Sequence, residues 1–337
     1  MFIKKNLLIV LILAFIINCS DNTKELSIDY EKYTLDNGLK VILHKDSSDP
    51  LVAISTIVHV GSNREKPGKT GFAHFFEHMA FTASENTPRG ANRLLIPTWG
   101  GSRNGGTSFD YTIYYEIVPK DALEKLMWID SDRLGFMINT VDAETLEGEI
   151  QVVKNEKRQR VDNQPYGHSS GIIQKALYPQ GHPYSWSVIG ELEDLQAATI
   201  EDVKEFYNEF YGPSNATVVI AGDIDFDETK QLVERWFGEI KPNENIIEKP
   251  EVRLVTLSET KKLYHLDKYA QLPQLSLTFL SVEQFSKDSY ALNTLGELLS
   301  DGRNSVFYKE IIEKQKLAPS ASAYNYSSEI AGQFSMS

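Results

Sequence analysis

Cysteine is nearly absent from this chain. Cys19 is the only one in 337 residues, so no intramolecular disulfide framework can brace the fold. Basic residues are also in deficit: 34 Lys and Arg stand against 47 Asp and Glu, a net charge of −13. That imbalance argues against nucleic-acid partners and fits a solvated acidic surface. Nucleotide signatures are missing too. Gly68-Lys69-Thr70 ends like a phosphate loop, but Asn63 stands where that loop needs glycine. The pairs Gly100-Gly101 and Gly105-Gly106 spell no dinucleotide fingerprint and read as turns or close backbone approach. Hydrophobic and charged contents of 41% and 24% are ordinary for a soluble globular protein, and the length suits two domains.

What is present is concentrated in one run, His74-Phe75-Phe76-Glu77-His78. Its surroundings, Gly71 to Phe81, hold good helix formers and no proline. On a helix, positions i, i+3 and i+4 share a face, so His74, Glu77 and His78 point the same way. Two imidazoles at that spacing suit zinc, and the intervening carboxylate suits a general base. The order H-x-x-E-H is the inverzincin signature. Phe75, Phe76, Met79 and Phe81 read as core packing on the other sides.

A zinc site of this kind needs a third protein ligand. Asp142 to Arg160 reads as a helix, capped by Asp142 and carrying an apolar stripe of Ile150, Val152 and Val153. Glu149 and Glu156 are seven residues apart and fall on nearly one face of it. Either could reach a metal.

The chain resembles the pitrilysin/insulinase family of zinc peptidases, which includes the mitochondrial processing peptidases, and among them the bacterial lipoprotein-type members. The resemblance rests on H-x-x-E-H and on several further stretches: Tyr33 to Val41 with its Asn37-Gly38 turn, His59 to Glu65, Gly100 to Thr107, Ser187 to Gly190 and Asn215 to Asp223. It implies one Zn²⁺ per chain held by His74, His78 and Glu156, with Glu77 as base and Glu149 as an outer acid. It implies a zinc-dependent endopeptidase whose extended peptide substrate adds to the sheet edge at Asn104, Gly105, Gly106 and Thr107. The family also holds partner subunits without activity, so a non-catalytic peptide-binding or assembly subunit is the alternative. Family members enclose substrate between two halves, which implies a further C-terminal half or a partner subunit.

The predicted organisation has four parts. Residues 1–19 form a targeting segment, with Lys4 and Lys5 before an apolar run, Leu7 to Ile17, too short to span a bilayer at about 20 residues. Cys19, just past that run, resembles a bacterial lipobox, which implies a lipid anchor and a place on the cell envelope, at the outer membrane. Residues 20–29 are a polar tether, 30–245 a zinc-binding catalytic domain, and 252–337 the start of a second, metal-free homologous domain, truncated at Ser337. The expected fold class is α+β, an antiparallel sheet with helices on one face. Strands are expected at Tyr33 to His44, Leu51 to Val60, Phe109 to Val118, Ala216 to Ala221 and Leu272 to Phe279. Setting Ala291 over Ala73 puts Leu292 and Gly296 at the two histidine positions, a repeat without the site. His182 reads as a turn residue, not a spare ligand.

Overall fold

The computed structural model describes residues 27–243, 248, 251 and 255–337. The expected targeting segment with Cys19, most of the expected tether, and residues 244–247, 249–250 and 252–254 lie outside them. Beyond Tyr30 the described chain forms one unit, Glu31–Ser337, built on two sheets.

The first sheet takes β1 (Glu31–Thr34), β2 (Lys40–Lys45), β3 (Leu51–Val58), β4 (Ser102–Thr107), β5 (Thr112–Pro119) and β6 (Ala216–Gly222), in the order β1-β2-β6-β3-β5-β4. Asn37-Gly38 makes the first turn, with Gly38 at φ 89°, a left-handed value that favours glycine. The Asn37 amide donates to the carbonyls of Phe237 and Ile240, which ties this turn to the far end of the domain. Along β3 burial alternates, with Val52, Ile54, Thr56 and Val58 facing inward. β5 repeats the pattern with Thr112, Tyr114, Glu116 and Val118. Such alternation marks a sheet covered on one face.

The antiparallel expectation holds for every pairing of this sheet but one, since β2 and β6 are parallel. The exception is forced by topology. β2 and β3 run in opposite senses through a short turn, and β6 inserts between them. Antiparallel to β3, it must be parallel to β2.

The helices are α1 (Phe72–Met79), α2 (Ala91–Thr98), α3 (Leu123–Phe136), α4 (Ala143–Lys157), α5 (Ser169–Leu177), α6 (Leu192–Gln196), α7 (Ile200–Phe210), α8 (Phe226–Phe237) and α9 (Lys287–Ser300). The sequence reading missed α2, α5 and α6. The last turn of α2 contains Pro97, which removes a backbone donor and masks the helix pattern.

Three strand expectations need correction. The strand expected from Phe109 begins at Thr112, because Ser108 to Tyr111 close a turn held by the Ser108 hydroxyl. The glycine-rich run expected as a loop is itself a strand, β4, since ladder hydrogen bonds need only backbone. In the second sheet β7 (Leu277–Ser281) starts later than the expected Leu272.

That second sheet adds β8 (Ala323–Ser327) and β9 (Gly332–Met336) in the order β7-β9-β8. Its plan copies β3-β5-β4 in the first sheet. In each, a strand leads to a helix and then to a hairpin whose inner strand returns beside the first. The closing pairs are Thr107 with Thr112 and Ser327 with Gly332, so both turns span residues of equal number, 108–111 and 328–331. The two equivalent turns meet. Glu329 N donates to Asp110 Oδ2 at 3.0 Å, Ile330 N donates to the Tyr184 hydroxyl, and that hydroxyl donates to Asp110 Oδ1. Phe109, Tyr178, Tyr184 and Ile330 form a small apolar cluster beneath them.

Candidate metal centre

Three constraints set the position of α1. Gly71 precedes it at φ 85°, and a side chain on Gly190 would lie 2.4 Å from Gly71 N. Only two bare backbones allow that approach. The buried Glu65 accepts from Gly71 N and Ala73 N, both at 2.9 Å, and from Trp186 Nε1 at 3.2 Å. Burial pushes its carboxyl up to about 8, against those donors. Finally, Phe72, Phe75, Phe76 and Met79 are all within 2% of full burial, fixing the roll of the helix and leaving His74, Glu77 and His78 on the opposite face.

α4 brings the third group. The Asp142 side chain accepts from Thr145 N at 2.8 Å, the N-cap that the sequence predicts. Its buried stripe is Leu146, Ile150 and Val153, at helical spacing. Val152, expected in that stripe, is 45% exposed, because it lies about 100° away from Val153 on a helix of 3.6 residues per turn. Lys157 at the end of α4 donates from Nζ to the Gly190 carbonyl at 2.6 Å. The Ser187–Gly190 stretch therefore braces both helices that carry the candidate ligands.

The three groups converge. His78 Nε2 lies 3.0 Å from Glu156 Oε2, His74 Nε2 lies 3.4 Å from the same oxygen, and the two Nε2 atoms are 3.3 Å apart. Among the described residues this is the one group of three such side chains close enough to share an ion. A tetrahedral zinc with bonds of about 2.0–2.1 Å requires ligand atoms about 3.3 Å apart. The donor set, two imidazole nitrogens and one carboxylate oxygen, fits that ion without movement.

The electrostatics agree. The imidazoles hydrogen-bonded to Glu156 hold its carboxyl well below the usual range, with burial opposing them. Burial works against charge on His78, but Glu156, with Glu77 and Glu149 behind it, outweighs burial and raises the His78 pKa. Glu156 Oε1 is taken by Arg160 Nη1 at 2.8 Å, so only Oε2 faces the histidines. The Nδ1 atom of His74 is buried with no partner among the described residues.

Glu77 points to β4, where Thr107 Oγ1 donates to its Oε2 at 2.7 Å. Glu149 lies further along α4, 8% exposed and 3.5 Å from Arg89 Nη2. Burial raises its pKa, while His78 and Arg89 oppose the rise. β4 ends its sheet, as the expected substrate strand must. Its residues alternate: Gly105 and Thr107 face α1, whereas Asn104 turns its side chain outward and Gly106 has open space. A side chain on Gly105 would meet the Phe81 ring at 2.9 Å. His182 is buried, accepts from Tyr184 N through Nδ1 and stacks on Tyr178, far from ligand duty. Glu65 and Arg103 carry no role legible in the sequence, because their partners come from distant segments and meet them only in three dimensions.

Residues 40–182 match the family model described as insulinase (peptidase family M16), and residues 197–337 the model described as peptidase M16 inactive domain. The chain is 31% identical over 303 residues to the zinc protease PqqE of Helicobacter pylori, covering 88% of this chain and 66% of that protein. It is 27% identical to the uncharacterized zinc protease YmxG of Bacillus subtilis, covering 91% and 72% respectively. A crystal structure of a protease from Helicobacter pylori superposes with a TM-score of 0.84 at 28% identity, over 92% of this chain and 74% of that one. The chain thus spans roughly two thirds to three quarters of the length of these relatives.

Proposed function

The chain belongs to the insulinase, or M16, family of peptidases, and on that premise we propose that it is a zinc-dependent endopeptidase acting on extended peptides. The observation that carries the proposal is the convergence of His74, His78 and Glu156 at tetrahedral ligand spacing. The segment that matches the inactive-domain model has no comparable cluster among the described residues, and its helix α9, Lys287–Ser300, contains no histidine. Chemistry is therefore assigned to the first sheet alone.

Zinc bound by the three residues supplies Lewis acidity that makes a water nucleophilic near neutral pH and polarises the scissile carbonyl. The remaining tasks belong to the chain. β4 holds the peptide by backbone hydrogen bonds along the sheet edge, so conformation is read before sequence. Glu77 takes the proton of the attacking water on Oε1, since Oε2 is engaged by Thr107, and passes it to the leaving amine. Thr107 thus orients the base rather than meeting substrate through its side chain. Glu149 sits too far along α4 to replace Glu156 and acts as an outer acid on the same face. The lipid anchor expected at Cys19, with envelope localisation, stays part of this proposal; the mass of the mature N-terminal peptide tests it, and an unmodified thiol rejects it.

Metal titration of the apo protein tests the centre directly. One equivalent of zinc is expected to bind, and a chelator is expected to abolish peptide cleavage reversibly. Binding should weaken as the pH is lowered from 7.5 to 5.5, because imidazoles must be neutral to ligate. The raised His78 pKa lets protons compete at a higher pH than for a free imidazole. Absence of stoichiometric zinc at pH 7.5 rejects the proposal.

A further inference from the structure

We propose that Arg103 determines specificity, selecting an acidic side chain in the peptide laid along β4. The inference rests on the peptidase reading above, and deepens it by naming a substrate class.

β4 pairs with β5 on one side only, and among the described residues nothing pairs its other edge. Side chains two apart in a strand share a face. Arg103, Gly105 and Thr107 therefore form one row, and that row faces the metal helix. Its ends are fixed independently: Thr107 reaches Glu77, and the Arg103 guanidinium stacks 4.7 Å from the Phe81 ring centroid. They stand four positions apart, about 13 Å along the strand. A peptide added to this edge presents alternate side chains to the same face. One of them, about four residues from the one beside Thr107, arrives at Arg103.

Apart from Phe81, the guanidinium there has no acid bound to it among the described residues. It is half-buried, and among the described residues it forms no ion pair or hydrogen bond. Glu116 stands opposite it in register, but its Oε1 is bound by Arg133 at 2.9 Å and its Oε2 is buried with no hydrogen-bond partner among the described residues, so Arg103 does not reach that carboxylate. The other charges it feels from Arg133 and Arg93 are repulsive, and together with burial they outweigh the attraction of Glu116. An arginine stays charged under such pressure. In a chain with 13 more acids than bases, a partly desolvated cation without an acid of its own is unusual. A carboxylate from substrate supplies what the fold withholds, in the fork geometry arginine favours. The stacking on Phe81 holds the side chain in place beforehand.

The test reads binding, so it does not depend on turnover. Glu77→Gln protein, as the full chain, is titrated with fluorescent extended peptides in which Glu, Gln or Lys is walked through each position. At one position, Glu should bind about tenfold tighter than Gln, a typical effect of a partly buried charge pair. Arg103→Leu should erase that ratio, and Arg103→Glu should invert it in favour of Lys at the same position. Retention of the Glu preference in Arg103→Leu overturns the inference, as does a ratio near unity at every position or failure of any peptide to bind. Cleavage of the same peptides by the parent chain is scored separately. Its absence counts against the peptidase reading, while the Glu-to-Gln binding ratio still decides the role of Arg103.

Discussion

Glu77→Gln should lower peptide turnover about a thousandfold, within the range contributed by general acid–base catalysis, while zinc binding stays at one equivalent. The substitution keeps the side chain's volume and leaves an oxygen to accept from Thr107 Oγ1, as Oε2 does now. It removes only the ability to take a proton. The three candidate ligands are contributed by other side chains, so metal content separates loss of the base from loss of the site. A variant that cleaves within tenfold of the parent would remove Glu77 from the mechanism. One that loses both zinc and cleavage would show that Glu77 supports the centre structurally. Glu77 is placed by a helix whose roll is fixed by four buried apolar residues, so an isosteric change at this one position leaves the helix where it is.

The legibility of this site followed the range of the interactions that build it. His74, Glu77 and His78 lie within one helical turn, so their shared face could be read from spacing alone. Glu156 could not: periodicity placed Glu149 and Glu156 on one face of α4, and only family resemblance chose between them. The structure shows why that choice matters, since Glu156 reaches both imidazoles while Glu149 lies beside Arg89. β4 was read as a loop because glycine carries no side chain from which alternation could be judged. The helix at Ala91–Thr98 was hidden by Pro97. The parallel β2–β6 pair depends on a strand arriving some 170 residues after its neighbour, and no local pattern announces it. Arg103 illustrates the limit most clearly, for its significance lies in the partner that Arg133 has already taken.

That competition also defines the largest expected stability effect. Arg133→Met should destabilise the fold by about 3–5 kcal/mol, the usual cost of stranding a buried charge. Arg133 on α3 is 3% exposed and binds Glu116 of β5 and Asp130 of its own helix, both fully buried. Its guanidinium also lies 4.5 Å from the centre of the Tyr114 ring. Burial already drives Asp130 well above the usual carboxylate range, with Arg133 opposing that rise. Without the arginine, the opposition to that rise is gone, and Asp130 stands still further above its unfolded-state value. The folded variant would then bind more protons than its unfolded chain, so its stability should recover as the pH falls from 7 towards 5. A simple cavity left by the shorter side chain would show no such recovery. Urea midpoints of parent and variant across that range distinguish the two. A loss that is the same at every pH would mean that packing, and not charge, is what Arg133 provides between the sheet and α3.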